Sequence, residues 1–295
     1  MTDTEMFCYN NSIPYQKNLS TKSISTFKIG GLISLAVYPL NADQASLLIK
    51  FFNSNNIKYK TAGNCSNILF SDENTDYVLI KTDNMNSLVV DNERIITGAG
   101  NLLSKISTTA LKSHLSGMEN LYGIPGSVGG AVIMNAGAYG SEMSQIIEET
   151  EYVDCMGDIR IVCGDSHCFG YRHSCFSDKE IVTKTTIKLN SGNFQNIREI
   201  MTLVIAKRKA SQPLEMPSAG SVFKRPQGYF AGKLIEDCGL KGFSVGDAMV
   251  STKHAGFIVN RGNATSEDVK KLINIIQSQV YEKFGVKLET EIRFF

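Results

Sequence analysis

The spacing of large apolar residues in the first sixty positions predicts a helix followed directly by a strand. Between Ala42 and Asn56, apolar side chains recur every three or four residues, which places them on one helix face. These residues are Leu47, Leu48, Phe51 and Phe52. Asn41 precedes the segment and belongs to the residue types that cap helix N-termini. The run Ile57–Thr61 that follows is rich in β-branched and aromatic residues and predicts a strand.

Short runs with strand character recur through the next hundred residues, separated by Gly, Asn and Asp turns. These runs are Tyr77–Lys81, Ser87–Val90, Ile95–Thr97, Glu151–Cys155, Ile159–Cys163 and Ile181–Leu189. Helical patterns interrupt them only irregularly, so the chain lacks the strict strand–helix–strand rhythm of a Rossmann domain. The predicted fold class is α+β.

Two further helices are predicted, Leu102–Leu115 and Phe194–Lys209, and the second stops before Gln212-Pro213. We place the main domain boundary at that stop. The last predicted helix has one continuous apolar stripe, capped by Thr265 or Ser266 and ended by Gly285. The stripe consists of Val269, Leu272, Ile273, Ile276, Val280 and Phe284.

The segment Val286–Phe294 alternates apolar and charged residues, which predicts a strand with one apolar face and one charged face. The apolar positions are Val286, Leu288, Ile292 and Phe294, and the charged positions are Lys287, Glu289, Glu291 and Arg293. On such a face Glu291 and Arg293 lie about 6–7 Å apart along the strand, close enough to hold one substrate. Charged residues are usually exposed, so without further evidence the simpler interpretation is a charged strand face in contact with solvent.

Length and charge narrow the classes of function. At 295 residues the chain exceeds one average domain and is long enough to bury the core of a soluble enzyme. A net charge of +1, from 30 basic and 29 acidic residues, lacks the basic excess of a general nucleic-acid binder. No apolar run approaches the roughly 18 residues that a membrane helix needs. We therefore expect neither a nucleic-acid partner nor a membrane partner.

The first residues and the cysteines indicate the expected compartment. Residues 1–6 include acidic side chains and lack the basic and apolar regions of a signal peptide, so we expect a cytoplasmic protein. Seven cysteines, an odd number, fit reduced thiols better than a disulfide framework.

Two glycine-rich segments are the strongest candidates for ligand contact. Gly63-Asn64-Cys65-Ser66-Asn67 directly follows a predicted strand, where small residues let backbone N–H groups approach ligand oxygens, although a polar turn explains it equally well. The second segment, Gly123–Gly140, has glycines among only small or apolar neighbours over most of its length. Such density favours backbone lying against a flat or phosphorylated ligand, such as a flavin. Neither the P-loop pattern nor the Rossmann context is present.

Seven motifs occur in the order seen in UDP-N-acetylenolpyruvoylglucosamine reductases, the MurB family, which the chain resembles from about Thr26-Phe27-Lys28-Ile29-Gly30-Gly31 to its end. Besides the two glycine-rich segments, the motifs are Gly170–Ser174, Ser218–Pro226, Ala231–Glu236, Gly256–Asn260 and Leu288–Arg293. Two positions depart from the family pattern: Cys65 stands where members often have glycine, and Arg225 where many have asparagine.

The resemblance implies a fold and a reaction. It implies two N-terminal FAD-binding subdomains of the vanillyl-alcohol-oxidase type, residues 1–82 and 83–211, followed by an α+β substrate-binding domain, residues 212–295. It also implies NADPH-dependent reduction, through FAD, of the enolpyruvyl ether of a UDP-amino sugar in peptidoglycan precursor synthesis. The short spacing after Tyr171-Arg172 matches the shorter family type, which lacks an inserted substrate-covering loop. We expect a monomer or a weak dimer whose partner is the small-molecule UDP-sugar.

The resemblance also implies the roles of particular residues. Ser221 matches the proton donor, while Arg172 and Glu291 match the pair that polarises the substrate carboxylate. Residues implied to contact the UDP-sugar are Tyr171, Lys224, Arg225 and Arg293. Residues implied to contact FAD are Gly63, Asn64, Cys65, Ser66, Asn67, Ile68, Gly123, Ile124, Pro125, Gly126, Ser127, Val128, Gly130, Asn135, Gly137 and Ala138.

The chemistry of these residue types agrees with those roles. Adding a hydride to an enolpyruvyl carbon pushes charge into the carboxylate, where a fixed guanidinium such as Arg172 stabilises the transition state. Glu291 has to act through a protonated form or a hydrogen bond, because a bare carboxylate repels an enediolate. Ser221, a weak acid, otherwise reads as an ordinary turn serine, and only geometry makes it a proton donor.

Three alternatives remain open at this stage. A different FAD oxidoreductase of the same fold has no need for the C-terminal Glu–Arg strand, and a non-catalytic flavin or UDP-sugar module has no reason to keep Arg172, Ser221 and Glu291 together. A metal site is suggested by six cysteine and histidine residues within about twenty positions. Their spacing lacks a C-x-x-C unit, so we expect no metal. The six are Cys155, Cys163, His167, Cys168, His173 and Cys175.

Overall fold

The structure, a computed structural model, describes residues 1–295. Its helices are α1 (Asp3–Asn10), α2 (Thr21–Ile24), α3 (Ala42–Ser54), α4 (Leu103–Lys112), α5 (Val128–Ile133), α6 (Phe194–Ser211), α7 (Ala231–Asp237) and α8 (Ser266–Phe284). Short 3-10 helices lie at Glu119–Leu121, Met143–Gln145 and Gly164–His167.

Eighteen strands, most of them short, complete the fold. They are β1 (Tyr15–Ser20), β2 (Leu32–Val37), β3 (Tyr59–Ala62), β4 (Ile68–Leu69), β5 (Val78–Lys81), β6 (Leu88–Asp91), β7 (Arg94–Gly98), β8 (Leu115–Ser116), β9 (Gly137–Ala138), β10 (Ser141–Glu142), β11 (Ile147–Val153), β12 (Ile159–Cys163), β13 (Ile181–Lys188), β14 (Asn190–Ser191), β15 (Ser244–Val245), β16 (Ala248–Val250), β17 (Ile258–Asn260) and β18 (Arg293–Phe294). The mixture of helices and largely antiparallel strands confirms the α+β prediction.

The chain forms two compact units. Unit 1 comprises residues 1–18, 34–64 and 76–206, and unit 2 comprises residues 19–33, 65–75 and 207–295. Two stretches from the first 82 residues therefore fold with the C-terminal part of the chain. The three-domain division at residues 82 and 211 stays a prediction.

Unit 1 is built on two sheets. The first has the strand order β1-β2-β5-β3, with β2 and β3 both parallel to β5. The second is antiparallel, with the order β12-β11-β13-β7-β6. Helices α4 and α5 bury their apolar sides with strands of the second sheet in one core, which includes Leu103, Ile106, Val128 and Val132. Gly63 follows β3 directly, as the sequence predicts.

Helix α3 shows why the first predicted stripe is only partly correct. Asn41 caps the helix as predicted, since its side chain accepts a hydrogen bond from the Gln44 N–H at 3.0 Å. The buried residues, however, are Ala45, Leu48, Ile49 and Phe52. Leu47 is exposed and Phe51 is half-buried, where it stacks on Phe7. The buried face of the helix therefore runs through Ala45 and Ile49 and excludes Leu47.

Unit 2 centres on α8, whose predicted stripe is confirmed. Val269, Leu272, Ile273, Ile276 and Val280 are all buried in one core with residues of α7 and of the antiparallel sheet β15-β16-β17. Thr265 is the N-cap, and Gly285 ends the helix in a left-handed conformation at φ +67°. No helix in either unit combines the length and hydropathy that a membrane-spanning segment needs.

The predicted C-terminal strand is wrong over most of its length. Only β18 is regular, and it pairs in parallel with β4. The residues before it bond elsewhere: the Lys224 N–H donates to the Glu289 carbonyl at 2.9 Å, and the Glu291 N–H donates to the Val222 carbonyl at 2.7 Å. This change of partner breaks the alternation, so Leu288 and Ile292 are buried whereas Phe294 is exposed.

Candidate functional site

In unit 1, the residues that open the first glycine-rich segment lie against the second. We call Gly63–Ile68 the first glycine loop and Gly123–Gly140 the second glycine loop. A Cβ atom at Gly63 would lie 2.0 Å from the Ser127 hydroxyl oxygen, so only glycine fits there. The Asn64 side-chain amide donates to the Pro125 carbonyl at 2.7 Å. The structure thus brings together residues of the two loops that the sequence predicts to share one ligand.

A buried lysine supports this junction from the end of β5. Lys81 is 2% exposed; its ammonium donates to the Gly63 carbonyl and lies 3.1 Å from the Asp83 carboxylate. Neither glycine loop contains an acidic side chain. The small, half-exposed residues of the two loops let ligand oxygens approach the backbone closely, as a pyrophosphate requires. Sequence analysis missed Lys81, although a lysine that ends an otherwise apolar strand was a readable signal.

Backbone hydrogen bonds fix the second glycine loop against neighbouring segments. The Ser127 hydroxyl caps α5 by accepting from the Gly130 N–H at 3.4 Å, and the Gly129 N–H donates to the Ala99 carbonyl at 2.9 Å. A Cβ atom at Gly129 would lie 2.8 Å from the Ala99 Cβ, whereas one at Gly130 would meet only the Ser127 hydroxyl, at 3.5 Å. Gly129 is therefore required by packing, and Gly130 is not.

The end of the second glycine loop is a tight hairpin. Strands β9 and β10 pair across Tyr139 and Gly140, which both have positive φ, at +53° and +86°. Asn135, fully buried, donates from its amide to the Gly170 carbonyl at 3.0 Å and accepts from the Ser144 N–H at 2.9 Å. Asn135 therefore ties the second glycine loop to the turn that begins at Gly170.

That turn presents Arg172. Reciprocal backbone bonds join Gly170 and His173, and Arg172 between them has φ +55°. Its guanidinium donates to the Gly137 carbonyl at 3.3 Å and lies 4.9 Å from the centre of the Tyr171 ring. A left-handed backbone costs a non-glycine residue about 1–2 kcal/mol, and such strain is concentrated at functional sites. The turn thus holds Arg172 against the second glycine loop.

In unit 2, the end of the first glycine loop joins the C-terminal segment. Cys65 is buried with φ +52°. The Asn67 amide donates to the Glu291 carbonyl at 3.1 Å, and the Asn67 carbonyl accepts from the Arg293 N–H at 2.9 Å. Ser66 is half-buried, and Ile68 is buried in β4. The loop residues of unit 2 are therefore anchored to the segment that carries Glu291 and Arg293.

Ser221 lies beside that segment. It follows Gly220, which has φ +79°, and its hydroxyl donates weakly to the Phe223 carbonyl at 3.4 Å. Its neighbour Val222 donates from its N–H to the Gly256 carbonyl at 2.9 Å and accepts from the Glu291 N–H at 2.7 Å. Ser221 and Glu291 are thus carried by hydrogen-bonded neighbouring segments.

Two cations follow Ser221 along the chain. The Lys224 ammonium lies 3.4 Å from the Glu289 carboxylate, and the Arg225 guanidinium lies 4.5 Å from the centre of the Phe230 ring. Both contacts are near the surface, where ion pairs contribute little to stability. Both side chains thus place a positive charge near the surface, where an anion can reach them.

Each unit thus holds part of the predicted site. Unit 1 carries Gly63, Asn64, the second glycine loop, Tyr171 and Arg172. Unit 2 carries Cys65, Ser66, Asn67, Ile68, Ser221, Lys224, Arg225, Glu291 and Arg293.

The cysteine-rich stretch shows no arrangement of three or more His, Cys, Asp or Glu side chains suited to a metal ion. His167 is fully buried, and both ring nitrogens have partners at 3.0 Å, the Gly164 carbonyl and the Thr150 hydroxyl. Burial lowers the pKa of His167 below its usual value, which favours a neutral structural residue. All seven cysteines are free thiols.

Two segments of the chain match known protein families. Residues 20–162 match a family described as FAD binding domain, and residues 212–295 match the C-terminal domain of UDP-N-acetylenolpyruvoylglucosamine reductase. The reductase of that name from Clostridium tetani is 45% identical over 272 residues, covering 92% of this chain and 89% of that protein. The one from Caldanaerobacter subterraneus subsp. tengcongensis is 45% identical over 277 residues, covering 94% and 92%.

A solved structure extends the similarity to the fold. The crystal structure of UDP-N-acetylenolpyruvylglucosamine reductase from Thermus caldophilus has a TM-score of 0.81 and 34% sequence identity, and the match covers 96% of this chain and 98% of that one.

Proposed function

The chain belongs to the UDP-N-acetylenolpyruvoylglucosamine reductase (MurB) family, and from this premise we propose that it reduces UDP-N-acetylglucosamine enolpyruvate to UDP-N-acetylmuramate. It is an FAD-dependent oxidoreductase that uses NADPH and serves peptidoglycan precursor synthesis. The observation that carries the proposal is the placement of Arg172, whose guanidinium is hydrogen-bonded to Gly137 in the second glycine loop.

The two glycine loops fit the cofactor. They lie side by side at Gly63 and Ser127, contain no acidic residue and have the Lys81 ammonium behind them. We assign FAD contact to Gly63–Ile68 and to the residues of Gly123–Ala138 named above. When bound, FAD carries a hydride from NADPH to the enolpyruvyl double bond.

Arg172 is assigned to the substrate carboxylate. As the double bond is reduced at C3, further negative charge moves into that carboxylate, and the guanidinium stabilises the resulting enediolate more than the singly charged carboxylate of the ground state. The Gly137 carbonyl and the Tyr171 ring restrict the side chain, so little reorganisation is needed as the charge develops. Arginine suits the task because its planar group bonds both carboxylate oxygens.

Glu291 is assigned as the partner of Arg172 in the same half of the reaction. Its backbone is fixed on both sides, by Val222 and by the Asn67 amide. A protonated carboxyl group donates a hydrogen bond to the developing enediolate, whereas a charged one would repel it.

Ser221 is assigned as the proton donor to C2. An enediolate that protonates at carbon is a strong base, so a weakly acidic hydroxyl suffices when it is held in place. Its present bond to the Phe223 carbonyl is long, at 3.4 Å, and is therefore easily exchanged for a bond to substrate.

We assign the UDP-sugar to Tyr171, Lys224, Arg225 and Arg293, since cations bind its phosphates and an exposed ring packs on its sugar or base. We further propose a cytoplasmic location and a monomeric or weakly dimeric state, in keeping with a small-molecule substrate.

The test is Ser221→Ala. General acid–base groups contribute about 10²–10⁴-fold, so flavin reoxidation by UDP-N-acetylglucosamine enolpyruvate should slow by at least the upper end of that range. Ser221→Cys, which keeps a transferable proton, should retain more activity. Flavin reduction by NADPH should stay near the parent rate in both variants, as stopped-flow absorbance measures.

Ser218→Ala, three residues earlier on the same segment, is the matched control and should behave like the parent protein. If Ser221→Ala reoxidises its flavin as fast as Ser218→Ala, the proton comes from another group and the assignment is wrong.

A further inference from the structure

His254 occupies space that two motif glycines leave open. A Cβ atom at Gly232, at the start of α7, would lie 3.1 Å from the imidazole Cε1 atom. One at Gly256 would lie 3.0 Å from Cε1 and 3.1 Å from Nδ1. These spacings are tighter than ordinary van der Waals contact, so both glycines make room for the ring. The Phe257 ring meets the imidazole edge-on, with centroids 5.1 Å apart.

Ser221 also lies beside Gly256. The same Cβ position at Gly256 would be 3.5 Å from the Ser221 hydroxyl oxygen, and Ser221 pairs with Phe257 through an isolated β-bridge. Gly256 is therefore in contact range of both the imidazole and the predicted proton donor.

A continuous chain of hydrogen bonds leads from the imidazole to Glu291. The Gly256 N–H donates to His254 Nδ1 at 3.1 Å, and the Gly256 carbonyl accepts from the Val222 N–H at 2.9 Å. The Val222 carbonyl in turn accepts from the Glu291 N–H at 2.7 Å. Through this chain one ring nitrogen is connected to the backbone of the residue next to Ser221 and to that of Glu291.

We propose that His254 is a positioning residue, whose Nδ1 acceptor holds Gly256 and through it sets the places of Ser221 and Glu291. The proposal rests on the roles assigned to those two residues under the proposed function. His254 itself needs no contact with substrate.

The protonation state of the ring decides whether the chain stays intact. Nδ1 accepts a hydrogen bond only when the proton of the neutral ring is on Nε2. In the protonated ring Nδ1 also carries a hydrogen, which would face the Gly256 N–H and break the bond. Burial lowers the pKa of His254; its own backbone bond opposes that shift, Lys241 reinforces it and Glu236 opposes it. Lys241 and Glu236 form an ion pair at 2.8 Å, and the neighbouring Lys253 pairs with Glu215 at 3.6 Å.

The lowered pKa of His254 determines at which pH the hydrogen-bond chain is intact. The neutral ring predominates at pH 7, so the chain is intact there, and it is lost only as the pH falls below the ordinary histidine pKa of about 6.5. The rate of flavin reoxidation by the substrate should therefore fall at acidic pH as His254 becomes protonated. We call this loss of rate the acidic limit.

His254→Phe and His254→Gln test the proposal. Phenylalanine keeps a ring but removes the acceptor, and an unpaired buried N–H should slow flavin reoxidation by the enolpyruvyl sugar about 10- to 100-fold. Glutamine supplies a carbonyl acceptor that does not titrate, so it should restore most of the rate at pH 7 and remove the acidic limit. FAD content and flavin reduction by NADPH should match the parent protein in both variants.

His114→Asn is the matched control, because His114 is an exposed histidine of unit 1, and this variant should keep the acidic limit. Independently of turnover, ¹⁵N NMR of labelled histidine should show His254 as the Nε2–H tautomer with a pKa below 6.5. A parent-like rate in His254→Phe, or an unchanged acidic limit in His254→Gln, would overturn the positioning role. A parent protein that does not reduce the sugar at all would instead refute the proposed function.

Discussion

At the scale of single residues, four glycines of the two loops fall into two groups. At Gly63, Gly129 and Gly137 a Cβ atom would lie under 3.0 Å from other atoms of the protein, so packing alone requires glycine there. At Gly130 the only neighbour would be the Ser127 hydroxyl at 3.5 Å, an ordinary contact. The fold therefore does not require glycine at 130, and this position can separate packing from contact with the cofactor.

We therefore predict that Gly130→Ala separates folding from cofactor binding. Alanine in α5 should leave the apoprotein as stable as the parent or up to about 1 kcal/mol more stable. FAD affinity should fall at least about tenfold, because the added methyl group would lie where we propose that FAD contacts the protein backbone. Urea unfolding and titration of flavin fluorescence measure the two effects.

Gly129→Ala is the comparison variant and should destabilise the apoprotein, since its Cβ would lie 2.8 Å from the Ala99 Cβ. Unchanged FAD affinity in Gly130→Ala would remove Gly130 from the cofactor site.

Residue identity predicted some of this site and not the rest. The caps at Asn41 and Thr265 were readable because their side chains bond to backbone three residues away. The left-handed conformation of Arg172 was not readable, since arginine has no local preference for positive φ and tertiary contacts impose it. Lys81 was readable as a lysine at the end of an otherwise apolar strand, whereas its partner, the Gly63 carbonyl 18 residues away, was not.

At the scale of elements, α8 is the clearest case of local signals agreeing with the fold. Its N-terminus forms a reciprocal capping box, in which the Thr265 hydroxyl accepts from the Asp268 N–H and the Asp268 carboxylate accepts from the Thr265 N–H, both at 3.0 Å. Its apolar stripe then forms much of the core of unit 2.

We predict that Thr265→Ala lowers the free energy of unfolding by about 1 kcal/mol, within the range of about 0.5–2 kcal/mol found for lost N-caps. Thr202→Ala is the control on α6. The Thr202 hydroxyl bonds only to the Arg198 carbonyl one turn back, so its loss should be neutral or slightly stabilising. Chemical denaturation of the holoprotein measures both, and equal losses in the two variants would mean that the capping bond contributes nothing.

Hydrophobic periodicity predicted a strand well where the strand pairs with one neighbour along its whole length. It predicted a strand poorly where the segment changes its hydrogen-bonding neighbour partway along. Strand β12 matches its predicted limits, Ile159–Cys163, because it pairs with β11 along its full length. The segment Val286–Phe294 failed because it bonds first to residues 222–224 and then to β4. Alternation along a sequence carries no information about such a switch.

At the scale of the whole molecule, the sequence predicted the fold class but not which segments fold together. Residues 19–33 and 65–75 belong to unit 2, and the first glycine loop passes from unit 1 to unit 2 between Asn64 and Cys65. Hydrophobic patterns report local structure, whereas these associations depend on contacts between distant parts of the chain. The family motifs supplied candidate site residues, but they did not indicate that residues 19–33 and 65–75 fold with the C-terminal part of the chain.

The protein links NADPH oxidation to reduction of an enolpyruvyl sugar through one bound flavin. Anaerobic stopped-flow absorbance of the FAD-loaded protein tests it most directly. NADPH should bleach the flavin band, and UDP-N-acetylglucosamine enolpyruvate added afterwards should restore it, with one UDP-N-acetylmuramate formed per flavin. A protein that takes up no FAD, or a bleached flavin that the enolpyruvyl sugar fails to reoxidise, would show that the protein does not catalyse this reduction through FAD.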